Sequence, residues 1–327
     1  MLYLSGGDDN PHVRKAREAA RQRQQLSLLS VQEGGLPLNV RDRLLEQARR
    51  QNTERHCFTS DLSVNELSLV HLAGYEPLGQ IMGSAVCYVA QDWLPYDVRQ
   101  DGFSFALESL PQAFNEARQL GLGRLSQEAT LLGATGVVGV RIETTTHEWT
   151  ENDIGKELLE FTAIGTAIRE KGKTAPIAGK QGSKPFLSNL SGAEFWALQQ
   201  AHYHPVDIVC GYTAYAHMPS RATISRLRSF NNQEIKEYTD ASYKARRLAM
   251  SQLEAEANDL GVEGVVGAKT VIKGSMRGIT GVEQNMMIFY FSCIGTAIAP
   301  IPPDTRMHLP TQHSRGLLPV ISLKDNL

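Results

Sequence analysis

The chain has 327 residues, of which 42% are hydrophobic and 21% charged, and its formal net charge is −2 at pH 7. These values are typical of a folded protein of about two domains, and they exclude a global field that attracts nucleic acid or an anionic membrane. The apolar runs are shorter than the roughly 20 residues that cross a bilayer, and the first residues lack a signal-peptide pattern. We expect a cytoplasmic protein with no transmembrane segment and no nucleic-acid partner.

Residues 1–57 form the first segment along the chain, and we expect a helical N-terminal arm there. Two stretches, at about Pro11–Leu28 and Val40–Gln51, predict short helices. Their arginines are interspersed with acidic residues, and both stretches lack aromatic side chains. That pattern is less typical of nucleic-acid binding than of a solvated or partner-binding helix.

The rest of the chain is an internal repeat, which appears when the sequence is shifted by 128 residues. Phe58–Glu66 then matches Phe186–Glu194, and residues 132–139 match residues 260–267. After two further residues in a Gly-rich stretch, residues 164–168 match residues 294–298 as Ile-Gly-Thr-Ala-Ile. Two copies of one α+β module therefore follow each other in the chain.

Each module is predicted to run β-α-β-β, after a short element near Phe58 or Phe186. In the first copy the pattern predicts a strand at Ile81–Ala90, a helix at Phe105–Leu132, and strands at Val137–Thr144 and Leu158–Ile168. A turn with Asn152, Asp153 and Gly155 is predicted between the last two strands, and the second helix is predicted to start near Glu234.

The predicted boundaries follow from the repeat and from composition. The first module takes residues 58–170, a Gly- and Lys-rich linker takes 171–185, and the second module takes 186–299. A Pro-rich C-terminal tail, residues 300–327, is expected to be flexible. Its apolar segment Gly316–Leu323 leaves open the alternative of a docking peptide.

The repeated motifs resemble those of the YbjQ-like family, which also carries a heavy-metal-binding label. The resemblance rests on a Gly-containing strand, a helix with Ala-Arg and then Glu-Ala, Leu-Gly-x-x-Gly-Val-Val-Gly, and a strand with Gly-Thr-Ala-Ile. It covers both modules and leaves out the arm and the tail. It implies small β-α-β-β subunits similar to dodecin subunits, and assembly into pentameric rings.

The predicted sheet of each module also favours assembly. One helix covers only one face of a three-stranded sheet, so the other face must be covered by the second module or by another chain. Five chains would supply ten modules, in two stacked rings or in one larger ring.

Six glycines recur at equivalent positions in the two copies, and we interpret them as structural. They follow a helix and open a strand, whereas a phosphate-binding loop follows a strand and opens a helix. A helix cap and close backbone packing are the favoured roles. The six are Gly133, Gly136, Gly139, Gly261, Gly264 and Gly267.

A metal site is a second hypothesis for the second module. His202 and His204 would share a face if that segment is extended, and Cys210 and His217 follow. These four side chains could hold a divalent or heavy-metal ion only if the strand is bulged or another chain contributes. The alternative is surface histidines and a buried thiol.

Both modules also carry an Arg and a Glu ten residues apart on the predicted helix. Arg118 and Glu128 in the first copy correspond to Arg246 and Glu256 in the second. About 15 Å separates them along one helix, so they cannot pair within it. We expect them to form salt bridges between neighbouring subunits, with a solvated helix face or a ligand pocket as alternatives. Glu66 and Glu194 also match, and they cap or pair near the start of each module.

The sequence contains no nucleophile motif or carboxylate cluster that indicates an enzyme. The leading hypothesis is a self-assembling scaffold, or partner-binding module, that forms a homo-oligomer, with the arm or tail recruiting a protein partner. The alternatives are a metal-ion or small-ligand storage protein, and an enzyme with an active site at a subunit interface.

Overall fold

The computed structural model describes residues 11–51, 57–90, 102–151, 154–172, 184–227, 231–279 and 282–302. Within these residues the chain is α+β, as the sequence predicts, and consists of seven helices and eight strands. The helices are α1 (Pro11–Gln32), α2 (Leu38–Gln51), α3 (Val64–Leu72), α4 (Ser109–Leu131), α5 (Gly192–Gln200), α6 (Arg221–Leu227) and α7 (Lys236–Asp259). The strands are β1 (Tyr75–Val89), β2 (Ser104–Leu107), β3 (Gly136–Glu151), β4 (Ile154–Glu170), β5 (Phe186–Leu187), β6 (Tyr203–His217), β7 (Gly264–Ile279) and β8 (Val282–Pro300).

The strands form two four-stranded sheets, sheet one in the order β1-β4-β3-β5 and sheet two in the order β2-β6-β8-β7. In each sheet the three long strands come from one module and are antiparallel. β1 pairs with β4, and β6 pairs with β8 in the equivalent register; both pairs have an irregularity directly after a proline, Pro77 or Pro205. The repeat therefore extends to strand register.

The short fourth strand of each sheet comes from the other module, which the sequence did not predict. The helix predicted from Phe105 begins only at Ser109, because Ser104–Leu107 form β2 and pair antiparallel with β6. In return, the two-residue β5 of the second module pairs parallel with β3 of the first. Apolar residues at 105, 107 and 110 fit either a strand or the start of a helix, so only the pairing with β6 decides between them.

The long strands also extend beyond their predicted ends, and α7 begins at Lys236 rather than Glu234. Gly155 lies in β4 opposite Thr150, whereas Asn152 and Asp153 of the predicted turn lie outside the described residues. The helices α3, α5 and α6 were not predicted as such.

Each long helix packs on its own sheet through a glycine in the central part of the module's first long strand, β1 or β6. A Cβ on Gly83 of β1 would overlap the carbonyl oxygen of Gly121 in α4. A Cβ on Gly211 of β6 would overlap the carbonyl oxygen of Ala249 in α7 in the same way. The helix backbone can therefore approach the strand backbone more closely than any side chain would allow.

Helix ends follow the sequence signals. Gly133, with φ of 71°, ends α4 in a Schellman arrangement, because its N–H donates to the Thr130 carbonyl and the Ala134 N–H donates to the Ala129 carbonyl. At the start of α3, Ser63 and Glu66 form a capping box. Ser191 and Glu194 form the same box at α5, so the matched glutamates are caps.

The arm, α1 and α2, packs beside the first module and covers part of the outer edge of β1. Leu44 of α2 is buried, and the side-chain amides of Gln47 and Gln51 donate to the carbonyl oxygen of Leu78 at 3.3 and 2.8 Å. Covering an open strand edge limits unwanted pairing there. The linker residues 173–183 and the tail beyond residue 302 lie outside the described residues.

We expect Gly83→Ala to destabilise the protein by about 1–3 kcal/mol, because the added methyl group forces α4 away from β1. Gly123→Ala is the matched control in α4: no atom lies within 4 Å of its Cβ position, and helix propensity should stabilise it by about 0.5–1 kcal/mol. Urea unfolding measures both. Equal stability of Gly83→Ala and wild type would contradict this account of the packing.

Candidate functional site: the interface between the two modules

Helix α4 of the first module lies between the two sheets. Phe114 of α4 is fully buried; its ring centroid is 6.1 Å from that of Phe161 in sheet one and 4.2 Å from that of Tyr212 in sheet two, on which it stacks. Because Gly211 contacts α7, alternation places Tyr212 on the opposite face of sheet two. The layers therefore follow the order sheet one, α4, sheet two, α7.

The face of sheet two that meets α4 is lined by small side chains at alternate positions of β6. Cys210, Ala214 and Ala216 are at most 2% exposed and share one hydrophobic core with Phe114. Burial raises the pKa of the Cys210 thiol to about 12, so this thiol is an inert packing residue. The first module thus supplies the helix that covers the second module's sheet.

The exchange of β2 extends this contact along the outer edge of β6. Ser104 lies opposite His217 and Leu107 opposite Ala214, and the Met218 N–H donates to the Phe103 carbonyl at 2.8 Å. The edge strand of sheet two is thereby paired by a strand of the first module.

The exchange of β5 depends on a glycine notch in β3. The ring of Phe186 occupies the space that a Cβ on Gly136 would take. It also stacks on Phe195 of α5 at 5.7 Å and meets Tyr75 of β1 edge-on at 6.5 Å. Phe186 is therefore an aromatic anchor that inserts the second module into the first.

A partly buried ion pair joins the two long helices around the edge of β6. The Arg118 guanidinium of α4 donates with Nη1 and Nη2 to the two carboxylate oxygens of Glu256 in α7, with Nη1–Oε2 at 3.2 Å. Arg118 is 8% exposed, and Glu256 Oε2 also accepts from the Cys210 N–H at 3.0 Å. The pairing therefore lies between the two modules of one chain.

The counterpart residues have no such pairing. Glu128 Oε2 accepts from the Met82 N–H at 3.0 Å at the edge of β1 and is buried. Burial raises the pKa of Glu128, opposed by the Met82 hydrogen bond and by the charge of Arg43 on α2. Arg246 is exposed on α7, and within the described residues no ion pair connects it to Glu128.

A polar cluster also fastens β2 to β6, and the sequence did not predict it. Ser104 Oγ lies 2.6 Å from His217 Nδ1, and His217 Nε2 lies 3.2 Å from Glu237 Oε2. Burial alone would raise the pKa of Glu237, but hydrogen bonds from Ser220 and His217 lower it to about 2. Glu237 therefore stays ionised and holds the buried imidazole.

The sequence does contain one sign of this cluster, because the two copies of the repeat differ at all three of its positions. The counterparts of His217, Glu237 and Ser104 are Val89, Ser109 and Asn232. The cluster is therefore specific to the contact within the chain.

The four predicted metal ligands are not brought together. His202 has a φ of 62° and occupies the turn after α5, where the first module has Gly74, so it is not extended and does not share a strand face with His204. Cys210 and His217 lie about 23 Å apart along β6, and the irregularity in that strand falls before both of them. His217 contacts Ser104 and Glu237 through its two ring nitrogens. In the described parts of the chain, no three His, Cys, Asp or Glu side chains are grouped to hold a metal.

We expect a double-mutant cycle of Arg118→Met and Glu256→Gln to give a coupling energy of about 1–2 kcal/mol, because Glu256 is partly exposed and its charge is partly screened. Urea unfolding of the four proteins measures it. The control cycle of Arg118→Met with Glu128→Gln should be additive within about 0.5 kcal/mol. No coupling in the first cycle would contradict the buried pair.

None of the described helices is long and apolar enough to cross a membrane.

The model of the YbjQ family, described as "Putative heavy-metal-binding", matches residues 103–171 and 198–299. An encapsulin nanocompartment protein of Mycobacterium tuberculosis is 35% identical over 242 residues, which are 74% of this chain and 85% of that protein. A UPF0145 protein of Enterococcus faecalis is 28% identical over 72 residues, 22% of this chain and 69% of that protein. No solved structure gives a significant match. The chain therefore belongs to the YbjQ family and carries its domain twice in tandem.

Proposed function

We propose that this protein is a self-assembling scaffold, a homo-oligomer whose chains associate through the same kind of contact that joins its two modules. That contact is head-to-tail, because the first module contributes α4 and the second contributes a sheet face. Each chain also has both surfaces that a further contact of this kind would use. One is the outer face of α7, and the other is the uncovered face of sheet one. Interfaces of this kind generate closed rings or open filaments.

The observation that carries the proposal is the exposure of the uncovered face of sheet one. Met82, Val86 and Tyr88 of β1 are 49%, 57% and 56% exposed. Their counterparts in β6 are Cys210, Ala214 and Ala216, which α4 and its surroundings bury to 2% or less. A row of large apolar side chains on an open sheet face is typical of a surface that another molecule covers.

One relative supports an assembly role. The protein of Mycobacterium tuberculosis is described as an encapsulin nanocompartment protein, and its match covers 74% of this chain. We infer that this chain also acts as a component of a protein compartment or of a comparable assembly. In that setting the arm, and the apolar segment of the tail at Gly316–Leu323, are our candidates for recruiting a protein partner.

Closure of a ring limits the number of modules that it can contain. Each chain carries two different modules, so a ring of whole chains with alternating modules contains an even number of modules. A single ring of five modules, as the family resemblance implies, cannot be filled by whole chains. Five chains supply ten modules, which fit two stacked rings or one larger ring.

Light scattering on the untagged protein tests the proposal, and we expect a mass that is a multiple of 36.1 kDa. Val86→Lys should reduce that mass, because a charge on the uncovered face of sheet one must be desolvated when the face is covered. Leu26→Lys on α1 is the matched control, since Leu26 is also 57% exposed. A wild-type mass of one chain would refute self-assembly. Stoichiometric metal in the same peak would favour the metal-binding alternative.

A further inference from the structure

We propose that the partner at this surface is a second copy of the chain, seated by Phe58 in a vacant glycine notch at Gly264. In this contact the second module of one copy meets the first module of the next, and the inference rests on the proposed self-assembly. The contact within the chain is built from three features: an aromatic anchor, an edge strand and a helix on a sheet face. The repeat places an equivalent of each feature where the second contact would form.

The aromatic anchor is the most specific part. Phe58 is the counterpart of Phe186, and it is 37% exposed. Gly264 is the counterpart of Gly136, and no atom lies within 4 Å of its Cβ position, whereas Gly136 is filled by the Phe186 ring. A single chain therefore has an aromatic anchor, Phe58, that fills no notch, and a notch, at Gly264, that no aromatic side chain fills.

The valines beside the two notches differ in burial, as expected if only the notch at Gly136 is filled. Val137 and Val138 beside the occupied notch are fully buried. Val265 and Val266, their counterparts in β7, are only half-buried. Entry of Phe58 from another copy would cover them and would place Phe58–Thr59 beside β7 as a short parallel strand, as β5 lies beside β3.

The edge strand is the second part. Residues 104–107 add to β6 at residues 214–217, and the corresponding residues are 232–235 and 86–89. In the part of the chain that the structure describes, Val86–Val89 form the outer edge of β1 and no strand pairs with that edge. The arm covers β1 at Leu78, so only the far end of this edge is open to residues 232–235 of another copy.

The helix is the third part. The outer face of α7 has a shallow groove of about 520 Å³, lined by Tyr243, Met250 and five charged side chains that include Arg246. Arg246 and Met250 are the counterparts of Arg118 and Leu122, which are both 8% exposed on α4. In the second contact this face of α7 would lie on the uncovered face of sheet one of the next copy, as α4 lies on sheet two within the chain.

Gly264→Val tests the seat directly. The Cβ of the valine meets no atom within 4 Å in the isolated chain, but the side chain takes the space that Phe58 needs. We expect an unchanged circular dichroism spectrum and a rise of roughly thirtyfold in the chain concentration at half-dissociation, typical of the loss of a buried aromatic anchor. Ser275→Val, on an exposed position of the same strand, is the control and should assemble as wild type does.

Disulfide cross-linking gives a second test that leaves the Phe58 anchor and the Gly264 notch in place. In a Cys57→Ser background, Thr59→Cys with Val265→Cys should give covalent multimers on oxidation, because their counterparts Leu187 and Val137 are a registered pair. Thr59→Cys with Val271→Cys is the mismatched control and should give none.

The outcomes separate the two proposals. A monomeric wild-type protein would overturn both self-assembly and the seat. An oligomer that Gly264→Val leaves intact, with no multimers from the matched cysteines, would overturn the seat alone. Loss of assembly in Gly264→Val with cross-linked multimers from the matched pair would support both.

Discussion

The second face of each sheet is the constraint on which the rest of the structure depends. A three-stranded antiparallel sheet with one helix buries one face only, and an apolar second face must be covered. In this chain α4 meets that need for sheet two, with Phe114 packed between Phe161 and Tyr212. No second helix of the described chain takes the same place on sheet one, where Val86 and Tyr88 remain exposed. The asymmetry between two copies of one module follows from this.

The two modules have diverged in ways that fit the contact inside the chain and the contact that we propose between chains. The positions equivalent to Ser104, His217 and Glu237 hold Asn232, Val89 and Ser109, so the polar cluster strengthens only the contact inside the chain. The glycine notches, by contrast, are kept in both copies at Gly136 and Gly264. A permanent contact inside the chain, with a contact of the same geometry proposed between chains, is consistent with a tandem repeat that assembles head to tail.

Much of the fold was predictable because local signals agree with it. The repeat, the two long helices, the strands and the helix-ending Gly133 all follow from spacing and residue type. The exchanged strands could not be predicted, because the pattern around Phe105 shows an apolar segment but not the sheet that it joins. The metal hypothesis assumed an extended chain at His202, and the left-handed turn after α5 shows otherwise. Arg118 and Glu256 were singled out by repetition alone, and only packing shows that they meet.

Amide hydrogen exchange on the assembled protein tests the central claim, that the contact between chains repeats the contact within the chain. In the assembly, the N–H groups of residues 86–89 and 264–266 that point to the outer edges of β1 and β7 should exchange as slowly as the equivalent N–H groups of residues 214–217 and 136–138. After dilution to single chains, only these outward N–H groups should become fast, because the inward N–H groups stay paired with β4 and β8. Fast exchange at residues 86–89 and 264–266 in the assembled protein would contradict the claim.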